Sequence, residues 1–144
     1  MRIAVLGGMG LQGKAAVKDL AASDGVDRVI CADADLSGWE AFSRHLNSGK
    51  LEAVRLDAAS VSGIRDLLGR GVDAAIDLLP LPFMMNAFEA ALAARVPLVS
   101  TNYGCPVRPL HDRAVAAGVA LMPECGLDPG IDLVLCGHAV TQFD

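Results

Sequence analysis

The sequence predicts an α/β fold: a doubly wound six-stranded parallel sheet of order 3-2-1-4-5-6, covered by helices in three layers. Three observations predict it. Short apolar runs of strand length alternate from end to end with longer helix-like runs, with no short repeat and no linker. A glycine-rich turn joins the first apolar run to the first helical one. Hydrophobic residues make up 53% of the chain and aromatics only 4%, so the core must be aliphatic, as in a parallel sheet buried on both faces. At 144 residues the chain suits one domain with a sizeable core.

Taken in order, the first strand is expected over residues 2–6, where Ile3-Ala4-Val5-Leu6 is uniformly apolar. The first helix follows over 11–22, and Ser23-Asp24-Gly25 closes it with glycine as the stop. Strand two takes 28–32, and helix two takes 37–46, ending at Asn47-Ser48-Gly49. Strand three takes 52–56 and closes on Asp57; helix three takes 61–68 before the Gly69-Arg70-Gly71 turn. Strand four takes 74–78. Pro82 then opens helix four, over 83–94, because proline lacks the N–H that the first turn leaves unused. Strand five takes 98–100, helix five 109–117 up to Gly118, strand six 119–122, and a last helix begins at Ile131. Right-handed crossovers make the sheet parallel. A crevice then opens at the carboxyl ends of strands one and four.

The turn Gly7-Gly8-Met9-Gly10-Leu11-Gln12-Gly13-Lys14 carries the chemistry. Gly8, Gly10 and Gly13 stand at G-x-G-x-x-G spacing between a strand and a helix. In this reading Gly8 permits the tight turn, Gly10 lets a pyrophosphate lie against bare backbone, and Gly13 allows the helix to pack closely on the strand. The free N–H groups at the helix start face the phosphates. Asp33 follows Gly13 by 20 positions, 13 to 33, at the end of strand two. That is about the spacing of the carboxylate that binds the adenosine ribose, as in the Rossmann fold. Gly8 to Lys14 also fits the start of a mononucleotide phosphate loop. Ala15 stands where such a loop needs Ser or Thr for magnesium, which excludes a nucleoside triphosphatase.

The carboxylate of Asp33 favours two free ribose hydroxyls and repels a 2′-phosphate, and Ala34-Asp35-Leu36 offers no arginine to receive one. The expectation is NAD, with NADP less favoured. Asp57 is expected beside the adenine, or else as a helix cap. The cofactor-binding set is therefore Gly8, Met9, Gly10, Leu11, Gln12, Gly13, Asp33, Ala34, Asp57, Ala58, Leu79 and Pro80, with Gly126, Pro129 and Gly130 toward the nicotinamide.

The net charge of −5 provides no basic face for a nucleic-acid backbone. The richest apolar stretch, 74–94, is broken by Asp77, Pro80, Pro82, Asn86 and Glu89, so no membrane span is expected. Cys31, Cys105, Cys125 and Cys136 form no C-x-x-C pair, and no residues have metal-ligand spacing. A reducing cytoplasm is the expected setting. Cys125 is expected to pack at a buried strand end, and His45, His111 and His138 are expected to be structural or surface residues.

Past strand six, Gly126-Leu127-Asp128-Pro129-Gly130-Ile131-Asp132 resembles the G-L-D-P-G-I-D signature of saccharopine dehydrogenase-like oxidoreductases. The loop ending Gly13-Lys14, then Ala32-Asp33, then Val54-Arg55-Leu56-Asp57-Ala58, resembles their lysine 6-dehydrogenase branch. The resemblance covers essentially the whole chain. It implies a two-domain, homodimeric enzyme that transfers hydride between a nicotinamide cofactor and the C–N bond of a lysine-derived amine or imine. The chain reaches only Asp144, so it is expected to be the cofactor domain, binding cofactor without turnover.

Leu133 stands where the family often has His, which removes any role at that position. The resemblance makes Asp128 a carboxylate near the nicotinamide that binds the substrate amine or relays a proton. The local reading of Asp128 is a helix N-cap, with Pro129 in the first helical position. Tyr103, after strand five, resembles the family's substrate-facing tyrosine; its other reading is packing at a domain boundary. Two other readings stay open. One is a nucleotide-sensing module of the potassium-transporter type, which would not need Asp128-Pro129-Gly130. The other is a different two-domain dehydrogenase, of carboxynorspermidine or homoserine type.

Overall fold

A computed structural model describes residues 1–104 and 106–143; Cys105 and Asp144 lie outside the described residues. The strands are β1 (Arg2–Leu6), β2 (Arg28–Asp33), β3 (Leu51–Arg55), β4 (Ala74–Asp77), β5 (Leu98–Ser100) and β6 (Leu121–Met122). They form one parallel sheet of order β3-β2-β1-β4-β5-β6, the predicted topology. The helices are α1 (Leu11–Ala22), α2 (Trp39–Leu46), α3 (Val61–Leu68), α4 (Met84–Ala94), α5 (His111–Ala117) and α6 (Ile131–Val140).

Alternation along the central strands divides the core in two. Ala4, Leu6, Ile30 and Ala32 face one side, where Ile64 and Leu68 of α3 and Met84 and Phe88 of α4 cover them. Ile3, Val5, Val29 and Cys31 face the other, against Val17 of α1 and Trp39 and Phe42 of α2. All but Trp39 and Phe42, which are partly buried, are almost wholly removed from water. Each large one contributes about 1.5–3 kcal/mol by burial. Glu89 of α4 and Arg113 of α5 form a two-pronged ion pair at 2.9 and 2.7 Å on the surface. Arg113 holds the Glu89 carboxyl below its usual range.

The boundaries differ from expectation where side chains compete with the backbone. α2 starts at Trp39 rather than at 37, because Ser37 gives its N–H and hydroxyl to Asp35 and Gly38 adopts a left-handed φ of 80°. Single 3₁₀ turns, Leu81–Phe83 and Arg108–Leu110, precede α4 and α5 and take up the prolines. β6 is two residues long rather than four.

The cap of α3 is Ser60, whose Oγ accepts a hydrogen bond from Gly63 N–H at 3.0 Å. Ser60→Ala is expected to cost about 1 kcal/mol, read as a lower urea midpoint with an unchanged slope. An unmoved midpoint would mean that water caps this helix equally well.

Candidate functional site

A cleft of about 640 Å³ opens at the carboxyl ends of β1 and β4. It is built by the β1–α1 loop, the end of β2 and the loop after β4. Gly7, Met9, Gly10 and Lys14 line it from the first, Asp33 and Ala34 from the second, and Leu79, Pro80 and Phe83 from the third, with Ala58 behind.

The glycines divide the work differently from expectation. The tight turn belongs to Gly7, with φ 77°; a Cβ there would stand 2.6 Å from Leu78 O. Gly8 is needed for another reason. A Cβ on it would meet Cys31 Sγ at 2.5 Å, so the turn lies flat on β2. Gly10 faces the cleft and caps α1 with no side-chain hydrogen bond. The N–H groups of that first turn, over Leu11, Gln12 and Gly13, precede the reach of the helix's own ladder. A Cβ on Gly13 would clash with Gly7 O at 2.1 Å, which seats α1 against the loop. Bare backbone, uncapped donors and the positive end of a helix make a cradle for a diphosphate.

Asp33 closes the cradle. Its Oδ2 accepts from Met9 N–H at 2.9 Å and its Oδ1 from Asp35 N–H at 3.1 Å. The carboxylate thus braces the loop and lines the cleft at once. Neighbouring Asp35 is held below the usual carboxylate range by hydrogen bonds from Ser37. Asp57 is not the cap of α3. Its carboxylate accepts from Ala59 N–H at 2.9 Å and shapes the turn before Ser60, while Ala58 lines the cleft. Burial, with the Asp33 charge adding, pushes the Cys31 thiol up to about 12, leaving it an uncharged wall beneath the loop.

Sequence reasoning missed the group beside this cleft. Asp77 ends β4 and is fully buried, as is Ser100 at the end of β5. Asp77 Oδ2 accepts from Ser100 Oγ at 2.7 Å and its Oδ1 accepts from Leu79 N–H at 3.1 Å. Burial raises its carboxyl above the usual value, against the lowering effect of the Ser100, Leu79 and Asn102 hydrogen bonds. The available signal was a charge closing the apolar run Ala74-Ala75-Ile76, the pattern that marked Asp33 after β2.

The loops after β5 and β6 meet: Cys125 N–H donates to Ser100 O at 2.9 Å and Glu124 N–H to Asn102 O at 3.1 Å. Thr101 Oγ1 stands 3.5 Å from Gln12 Oε1, which brings α1 to the same end of the sheet. Tyr103, 60% exposed, and Asp128, also exposed, project from these loops. Asp128 is not an N-cap and Pro129 does not begin the helix. α6 starts after Gly130, whose N–H is held at 2.8 Å by the Asp132 carboxylate. Gly126 N–H donates to Pro129 O at 3.1 Å, so the Gly126–Gly130 segment folds on itself rather than into the cleft. Cys125 is exposed rather than buried. No group of three or more His, Cys, Asp or Glu among the described residues is placed to hold a metal, and no helix there is long and apolar enough to cross a membrane.

Residues 3–122 match the model of the saccharopine dehydrogenase NADP-binding domain. The chain belongs to this family. Saccharopine dehydrogenase [NADP(+), L-glutamate-forming] of Saccharomyces cerevisiae is 32% identical over 95% of the chain, and α-aminoadipic semialdehyde synthase of Arabidopsis thaliana is 32% identical over 64%. The structure of apo saccharopine dehydrogenase (L-Glu forming) from S. cerevisiae superposes on 98% of the chain with TM-score 0.84 at 29% identity. The chain spans 29% and 9% of the lengths of those two curated relatives. Among saccharopine dehydrogenase-type domains, then, this one carries the nicotinamide-cofactor fold.

The expected preference for NAD does not stand beside these findings, because the family model and the yeast relative are both named for NADP. The geometry supplies a reason. Asp33 already accepts two backbone N–H groups, so an acid at this position has a structural task apart from choosing the ribose.

Proposed function

We propose that the chain is the cofactor-holding part of a two-domain oxidoreductase, one that moves hydride between a nicotinamide dinucleotide and the C–N bond of a lysine-derived amine or imine. The observation that carries it is the cleft, where Gly10, at the open start of α1, and Asp33 line one cavity of about 640 Å³. Gly7 to Gly13 receive the diphosphate, Asp33 and Ala34 the adenosine ribose, Ala58 the adenine side, and Leu79 and Pro80 the path toward the nicotinamide. The bound cofactor supplies or accepts the hydride. The relatives' names favour NADP as the form accepted, and the charge of Asp33 limits how tightly its 2′-phosphate is held.

Tyr103 and Asp128 are proposed to meet the substrate, Tyr103 as a hydrogen-bond donor and Asp128 as the partner of the amine. Both face solvent, as residues completed by a second domain do. The helix α6 supports that domain. Ile131, Leu133, Val134, Leu135 and Val140 are 57–73% exposed, an apolar surface that soluble monomers seldom leave uncovered. A homodimer of the longer enzyme and a cytoplasmic setting complete the proposal; the free thiols of Cys31, Cys125 and Cys136 suit a reducing compartment.

Calorimetry of the chain with NADP and with NAD tests the cofactor reading, and saturable heat with at least one is expected. Heat with neither sinks it. The longer enzyme, assayed for dinucleotide reduction with saccharopine, lysine and related diamines, is expected to turn over one of them. Silence on all of them removes the substrate class and leaves the cofactor reading standing.

A further inference from the structure

Among the described residues, Asp77 and Ser100 are the fully buried polar side chains. A carboxylate removed from water is expensive unless its oxygens are satisfied, and an aliphatic residue at the end of β4 would pack as well at lower cost. The hydrogen bonds around it form a closed ring. Asp77 Oδ1 accepts from Leu79 N–H at 3.1 Å and Oδ2 from Ser100 Oγ at 2.7 Å. Ser100 Oγ accepts from Asn102 N–H at 3.1 Å, and Asn102 Nδ2 donates to Leu79 O at 2.8 Å. Leu79 is thereby held at both its N–H and its C=O.

What the ring holds is the cleft wall. Leu79 and Pro80 line the cavity opposite Gly7 and Gly10. The neighbouring Leu78 carbonyl lies so close to Gly7 that an added Cβ would stand 2.6 Å away. On its other side the ring holds Asn102, the residue before Tyr103. We propose that Asp77 is a positioning residue for the nicotinamide half of the dinucleotide: it sets the Leu79–Pro80 wall and ties it, through Ser100 and Asn102, to the loop bearing Tyr103. The assignment rests on the dinucleotide reading above. The adenosine half, at Asp33, Ala34 and Ala58, has no hydrogen bond to this ring.

The test is calorimetric, with two ligands and two variants. Asp77→Asn keeps the shape but leaves one acceptor for two donors. Asn102→Ala keeps the Asp77 carboxylate with its Leu79 and Ser100 donors and releases Leu79 O. Both are expected to weaken binding of the dinucleotide roughly tenfold, while binding of 2′,5′-ADP, which lacks the nicotinamide half, stays within about twofold of wild type. A merely structural role would move both ligands together, along with the melting temperature. If both ligands weaken equally, or if the dinucleotide is bound unchanged by Asn102→Ala, the assignment is overturned. If wild type binds neither ligand, it is the dinucleotide reading itself that fails.

Discussion

Gly13→Ala is expected to destabilise the chain by about 2–3 kcal/mol, while Gly10→Ala is expected to leave stability within about 0.5 kcal/mol of wild type. Both are expected to lower dinucleotide affinity at least tenfold, for different reasons. The new methyl at position 13 would stand 2.1 Å from Gly7 O and 2.7 Å from the Gly8 backbone. Those atoms are main chain beside a buried strand, so they cannot swing aside. Either α1 moves away from the sheet or the loop distorts, and the phosphate cradle is lost with the packing. At position 10 the backbone is extended, φ −66° and ψ 172°, which any residue adopts. The nearest atom to the added methyl is Gly7 O at 3.3 Å. The fold accommodates it, but the methyl occupies the cleft where the diphosphate must touch the backbone. Urea unfolding and calorimetry on the two variants separate the effects. A stable Gly13→Ala would show that the contact relaxes easily. A Gly10→Ala that binds as wild type would place the phosphates elsewhere.

The difference between those glycines shows what the sequence could disclose. Spacing identified the loop, because G-x-G-x-x-G between a strand and a helix narrows the possible contacts to a few. It could not distribute the tasks. Gly7, outside the motif, takes the left-handed turn, and Gly8 is small because of Cys31, a residue on another strand. The same limit hid Asp77. As a residue in a run, it only interrupts an apolar stretch. Its partners, Ser100 and Asn102, lie more than twenty positions away and are joined to it only when β4 pairs with β5.

The sheet order was legible because alternating strands and helices with short connections leave few right-handed solutions. Helix starts were less so. Asp128-Pro129 has the composition of an N-cap and first turn, yet the chain folds back between Gly126 and Gly130, and Asp132 takes the capping role from inside the helix. Asp33 was read from spacing as a ribose ligand. Its ties to Met9 and Asp35 give it a second, architectural reason to be acidic, one that periodicity cannot reveal.

That double duty makes the second large prediction a ratio rather than an affinity. Asp33→Ser combined with Ala34→Arg is expected to shift the NADP-to-NAD affinity ratio toward NADP by at least tenfold, about 1.4 kcal/mol. A 2′-phosphate carries about −1.5 to −2 charges at neutral pH. Removing the carboxylate lifts the repulsion, and an arginine adds a fork that matches phosphate oxygens in pairs. The overall affinity is expected to fall for both forms, because Met9 N–H loses its 2.9 Å acceptor and the loop loses its brace. Asp35 limits the gain, since its carboxylate lines the same cleft. Asp33→Ser alone should therefore show the loss of affinity with a smaller change of ratio. Calorimetry of NAD and NADP against wild type and both variants measures all of this. A ratio unmoved by the double change would mean that positions 33 and 34 do not face the 2′ carbon, and the adenosine would have to be placed on another part of the sheet.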